Sequence, residues 1–149
     1  MKKLNSVWFM AFSVIAGLLA LLMMFFPLFE DGAHVYNATN GFFDNGNGFV
    51  KGAWPTFLGF MLILLTTVST FVISLPVMKI SITTEKIVLI GGAILNLVGL
   101  VLIMLITVFW CSFNNLPLSV GTLSFGSYLA SFFALLAGAF NVIAYSYDK

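Results

Sequence analysis

No acidic or basic residue occurs between Lys86 and Asp148, none between Lys51 and Lys79, and none between Lys3 and Glu30. Uncharged runs of that length leave few folds open. A soluble chain carries about 25% Asp, Glu, Lys and Arg to cover its water-facing surface. Here the charged share is 7% against 61% hydrophobic residues, with a mean hydropathy of +1.12. The expected solvent is lipid. A net charge of +1, with six Lys and no Arg, excludes the clustered basic surface that displaces counterions from nucleic-acid phosphates. The single cysteine, Cys111, excludes a disulfide within the chain.

A hydrocarbon layer about 30 Å thick takes roughly 20 apolar residues in helical form. That length places spans at Val7 to Leu28, Trp54 to Met78, Ile87 to Trp110 and Leu123 to Tyr145. Asn114, Asn115, Pro117 and Gly121 break the last long run into two. No ten-residue stretch alternates with period two, so a barrel is not expected. The expected fold is therefore an all-α integral membrane domain, an antiparallel four-helix transmembrane bundle over residues 1–149. Its connections are an outer loop at 30–53, an inner loop at 79–86 and a second outer loop at 111–121.

Lys2, Lys3, Lys79, Lys86 and Lys149 fall at the end shared by the termini, and only Lys51 lies opposite. By the positive-inside rule both termini are expected in the cytoplasm, in a cell membrane. Trp54 and Trp110 are expected as aromatic anchors at the outer boundary, with Trp8, Tyr145 and Tyr147 at the inner one. The Met1-Lys2-Lys3 start is not read as a cleaved signal, because the apolar run exceeds a signal core and no A-x-A-like site follows.

In the first outer loop, Asn40-Gly41 and Asn45-Gly46 are hairpin-turn signals. A short β-hairpin is expected from Val35 and Tyr36 before the first turn and Phe42 and Phe43 after it. Thr83 or Thr84 is the expected N-cap of the third span, with Glu85 in its first turn.

Small and polar residues recur at helical spacing. The second span carries Gly59, Thr66, Thr70 and Ser74, and the third Gly92, Asn96 and Gly99. The fourth carries Ala130, Ala134, Gly138 and Asn141, and the first Ser13, Ala16, Gly17 and Ala20. Such stripes let helix backbones approach closely in lipid. Asn96 lies at a depth similar to Thr66 and Thr70, which predicts an interhelical hydrogen bond. These residues are read as helix-packing positions or, alternatively, as the lining of a pore.

No catalytic constellation is assembled. His34, Glu30, Asp31 and Asp44 match no metal-ligand spacing, and no cofactor or metal is expected. Asp44 to Gly48 resembles a calcium loop only until position 12, where Pro55 replaces the required Glu. Asn37-Ala38-Thr39 is a glycosylation sequon relevant only in a eukaryotic secretory pathway. Lysine without arginine points instead to an AT-rich genome.

Two resemblances add to this reading. Gly52-Ala53-Trp54-Pro55-Thr56-Phe57-Leu58-Gly59, with Ser124 to Leu129 and Ala137-Gly138, resembles small four-span membrane proteins of low-GC Gram-positive bacteria. That resemblance brings no catalytic residues. The topology is also similar to claudin-like tetraspan proteins, although the W-GLW-C-C signature is absent, so no junctional role follows. The expected function is that of a non-enzymatic membrane subunit, scaffold or accessory protein. It would contact other membrane subunits or itself through small-residue faces and through Tyr36, Phe42, Phe43 and Phe49 of the outer loop. The alternative is a small channel or carrier formed as a homo-oligomer around Thr66, Thr70, Ser74 and Asn96.

Overall fold

The long uncharged runs fold as helices, the form in which an apolar segment satisfies its amides within itself. The computed structural model describes residues 4–44, 51–75 and 80–147. Four of its helices are long and apolar enough to cross a membrane. They are α1 (Leu4–Leu22), α3 (Trp54–Ser74), α4 (Ile82–Met104) and α6 (Phe125–Tyr147). In the bundle α1 packs against α3 and α6, and α4 packs against the same two. Around one end lie β1 (Phe29–Glu30), β2 (Val35–Tyr36), the single turn α2 (Ala38–Gly41), α5 (Ile106–Phe113) and β3 (Thr122–Leu123). These form a cap at the end away from the termini.

Polarity in the bundle is inverted relative to a soluble protein. Buried positions are Ser6, Ser13, Ala16 and Ala20 on α1, and Thr56, Thr66, Thr67 and Thr70 on α3. Gly92 and Asn96 on α4, and Ala130, Ala134, Ala137 and Asn141 on α6, join them, together with the large apolar Met10, Phe60, Ile63, Ile73, Leu89 and Ile103. Ile15, Leu18, Leu65, Phe71, Ile94, Val101 and Phe132 point outward. With lipid tails as apolar as leucine, helices associate through close packing and polar pairs rather than hydrophobic burial. Between α3 and α4 the backbones themselves come close. A Cβ on Gly59 would stand 2.9 Å from the Gly99 carbonyl oxygen, and one on Gly99 2.8 Å from that of Gly59. On the other side of α3, a Cβ on Gly17 would overlap the Thr67 hydroxyl.

The helix ends differ from the expected boundaries, each for a local reason. α3 stops at Ser74 rather than Met78, because Leu75 precedes Pro76 and turns extended; residues 76–78 lie outside the described part. α4 begins at Ile82, five residues earlier than expected, and its N-cap is Ser81 rather than Thr83 or Thr84. The Ser81 hydroxyl accepts from the Thr84 backbone N–H at 3.1 Å, the separation that caps an N3 amide. Helical hydrogen bonds continue from α4 across Leu105 into α5, which reaches Phe113. The second connection is correspondingly shifted to 114–124, since α6 begins at Phe125 rather than Leu123.

The expected hairpin is displaced. Its strands are Phe29–Glu30 and Val35–Tyr36, antiparallel, with Phe29 opposite Tyr36 and Glu30 opposite Val35. The turn lies at 31–34, where Gly32 takes φ +85°. Asp31 Oδ1 accepts there from the Ala33 and His34 backbone N–H groups, at 3.0 and 2.7 Å. Asn40-Gly41 makes no hairpin turn. Asn37 caps the Thr39 amide and Asn40 returns a bond to the Asn37 backbone, which closes a helical turn instead. Asn45-Gly46 lies outside the described residues. On its other edge β1 pairs with β3, Phe29 with Leu123 and Glu30 with Thr122. One small sheet thus ties the two cap-end connections together.

Candidate functional site

The sequence-predicted polar residues converge in mid-bundle. Thr66 Oγ1 donates to Asn96 Oδ1 at 2.8 Å, the predicted α3–α4 bond, and lies 2.9 Å from its own Ile63 carbonyl. One turn further along α3, Thr70 Oγ1 donates to Asn141 Oδ1 of α6 at 3.4 Å. Gly92 admits this pair, since a Cβ there would lie 2.9 Å from Asn141 Nδ2. Gly59, Thr66, Thr70, Gly92, Asn96, Gly99, Ala130, Ala134, Gly138 and Asn141 are all buried between helices. Ser74 is half-buried and bonds back to the Phe71 carbonyl at 2.7 Å. The small-residue faces are therefore turned inward, onto the chain's own helices. Two serines of α1 also bond across the bundle, Ser13 from the expected packing stripe and Ser6, which sequence reasoning missed. Ser13 Oγ donates to the Ala137 carbonyl at 2.9 Å and Ser6 Oγ to that of Ala144 at 3.3 Å. The signal for Ser6 was its seven-residue spacing from Ser13 and Ala20.

Opposite chemistry fills the cap. Phe29 and Tyr36 stack with centroids 4.5 Å apart, and Trp110 lies against both at 5.5 and 5.4 Å. Phe42 joins Phe60 of α3 at 5.7 Å. Three expectations change here. Trp110, expected at the lipid boundary, is 3% exposed; Tyr36 and Phe42, expected as outward contacts, are 9% and 1% exposed. Each became core because the two connections fold over one another. Phe43 stays 59% exposed, as does Trp54 at 52%, and Phe49 lies outside the described residues.

Polar groups close the cap's rim. Ser124 Oγ donates to Glu30 Oε1 at 2.7 Å. Asn114 accepts from the Lys51 N–H at 2.7 Å and donates to the Lys51 carbonyl at 2.9 Å, in the manner of a strand partner. The Tyr36 hydroxyl donates to Asp31 Oδ2 at 2.9 Å. Burial and then the Asp31 carboxylate push the Tyr36 phenol up to about 12. At Asp31 burial opposes ionisation, but the His34 and Ala33 N–H groups, the Tyr36 hydroxyl and the His34 charge outweigh it. They hold the carboxyl below its usual value. His34 itself is exposed, its Nδ1 3.7 Å from Asp31 Oδ1.

A groove of about 230 Å³ lies outside the bundle along the α3–α4 seam, lined by residues that include Leu65, Thr66, Ser69, Ile87, Gly91 and Leu95. Among the described residues no three His, Cys, Asp or Glu side chains gather as a metal site. The chain matches no family model, no curated protein and no solved structure.

Proposed function

We propose that this chain is a non-enzymatic, multi-pass subunit or scaffold of a larger membrane assembly. Its termini face the cytoplasm and its cap faces outward, in a bacterial cell membrane. The observation that carries the reading is the contrast between a bundle that pairs most of its buried hydroxyls and amides internally, Ser131 Oγ and Asn141 Nδ2 excepted, and a folded platform at its end. Within the helices, hydroxyls and amides pair with one another across the seams, as polar glue does in lipid. The cap is held by a sheet, an aromatic core and side-chain bridges, and it exposes Val35 and Phe43. With the small-residue stripes engaged internally, the cap is the surface left for a partner. Five lysines at the end of the termini support the orientation.

The channel reading asks Thr66, Thr70, Ser74 and Asn96 to line an oligomer axis. Thr66, Thr70 and Asn96 face the interior of one protomer, which favours the subunit reading. The decisive experiment is extraction from native cells in nanodiscs, followed by the mass and composition of the particle. A stoichiometric foreign subunit, lost on Phe43→Glu, is expected. A pure homo-oligomer that conducts in liposomes would put the channel first, and a lone monomer would overturn the subunit role.

A further inference from the structure

α4 and α5 meet at a break. Leu105 stands at φ −87° and ψ 8°, where a helical ψ is about −42°. An Ile106 N–H bond to the Leu102 carbonyl would have drawn Leu105 into the helix, so that rung of the ladder is open. The Leu105 N–H reaches the Val101 carbonyl at 3.1 Å, and the Leu105 carbonyl accepts from Phe109 at 3.0 Å. Sharp breaks come at proline, at small residues, or where a side chain enters the ladder. Val101 to Trp110 holds no proline, glycine or serine, but a side chain does enter. The Thr56 hydroxyl of α3 donates to the Leu102 carbonyl at 3.3 Å.

Thr56 ends a strap that also grips the far end of α5. Lys51 is tied to Asn114, just past α5, through its N–H at 2.7 Å and its carbonyl at 2.9 Å. Between these two grips the strap is fixed to the first connection. The Ala53 N–H bonds to the Gly41 carbonyl at 2.8 Å, and a Cβ on Gly52 would overlap the backbone of Phe42 and Phe43.

What the strap holds down is one wall of the cap. α5 buries Ile106, Trp110 and Cys111, with Trp110 against Phe29 and Tyr36. That closed arrangement is incomplete, because the buried Trp110 indole N–H makes no hydrogen bond, one that water supplies when the cap opens. The Leu102 carbonyl likewise has two alternative donors, the Thr56 hydroxyl and the Ile106 amide four residues on. Two pairings of one acceptor make a two-state element of the kind that switches use.

We propose that Lys51 to Thr56 is a clasp that holds the cap closed. When the Thr56 hydroxyl leaves Leu102, Ile106 takes its place, α4 and α5 become one continuous helix, and Trp110 and Cys111 swing out of the aromatic core. The inference does not depend on a partner docking at the cap.

The single cysteine reports the open state in the full chain, reconstituted in nanodiscs and treated with N-ethylmaleimide. Thr56→Val removes the donor at nearly constant volume and should speed Cys111 alkylation about tenfold, the factor carried by one buried hydrogen bond. Thr56→Ser should restore the native rate. Amide exchange followed by NMR separates a clasp from simple loosening. In Thr56→Val the Ile106 amide should exchange more slowly, since it gains the Leu102 carbonyl, while Cys111 reacts faster. An unchanged alkylation rate would overturn the proposal, as would faster exchange at Ile106 alongside faster alkylation. If Thr56→Val does not fold, Asn114→Ala cuts the other grip and must by itself raise the alkylation rate; a native rate there would equally overturn it.

Discussion

The bundle and the cap are built on opposite rules within one short chain. The bundle buries glycine, alanine, serine, threonine and asparagine beside a few large apolar side chains such as Phe60, Ile63 and Leu89, and it shows most of its leucine, isoleucine and phenylalanine to its surroundings. The cap buries Phe29, Tyr36, Phe42 and Trp110 beneath a rim of Asp31, Asn114 and Ser124. The difference fits the solvents that the proposed topology gives the two parts, lipid around four membrane-capable helices and water around the cap. In lipid there is nothing to gain by hiding an apolar side chain, so close backbones and polar pairs decide which faces meet. At a watery end, aromatic burial regains its value.

The largest way to test that contrast is in the cap. Phe29→Ala removes a fully buried ring packed on both Tyr36 and Trp110 and should destabilise the cap by about 3–5 kcal/mol. Hydrogen exchange should rise at the Leu28, Tyr36 and Ser124 amides, which hold or flank the small sheet. It should stay low in the middle of α3. Equal loosening of both regions would mean that cap and bundle unfold as one unit. Next in size is Gly59→Ala, whose new Cβ presses on the Gly99 carbonyl oxygen and should cost about 1–3 kcal/mol. Its control is Gly91→Ala, in open space, which should leave thermal unfolding in detergent unchanged or raise it slightly. A comparable loss at both positions would show that glycine flexibility, rather than the α3–α4 approach, sets stability.

Much of the bundle was legible because its constraint is local and periodic. Small residues at intervals of three, four and seven mark one face of a helix, and counting residues from the boundary sufficed to pair Asn96 with Thr66. Helix ends were less legible, since two weak signals compete over a few residues. Ser81 outranked Thr83 and Thr84 as a cap, and Pro76 ended α3 before its apolar run ended. The cap was least legible. Pairing of Phe29 with Leu123 joins residues far apart in sequence, and the burial of Trp110 and Phe42 depends on that pairing. One signal was readable there: Asn37 followed three residues later by Asn40 is a capping pattern, and it competes with the Asn40-Gly41 hairpin turn.

Within the bundle, the polar pairs should carry a modest effect. A double-mutant cycle of Thr66→Val and Asn96→Leu is expected to show coupling of about 0.6–2 kcal/mol, read from thermal or denaturant unfolding in detergent. A cycle that closes near zero would leave glycine contacts alone to fix helix rotation.

The smallest effect at neutral pH, and the finest probe of the cap, is the Tyr36–Asp31 pair. An unfolded phenol ionises near pH 10, while folded Tyr36 keeps its proton up to about 12. A folded pKa above the unfolded one means that this contribution is whole below pH 10 and is lost as pH climbs toward 12. Asp31 has the opposite sign. Its folded carboxyl sits below the ordinary value, so its contribution holds above the usual aspartate range and fades as pH falls through the lowered value. Ultraviolet titration of phenolate should find one late-ionising tyrosine, absent in Tyr36→Phe. Asp31→Asn removes the carboxylate's bond and charge but leaves burial, the larger cause, in place. Tyr36 should therefore move only part of the way back toward pH 10. A complete return would mean that water reaches the ring through the cap, and the aromatic layer over the bundle would then be a surface rather than a core.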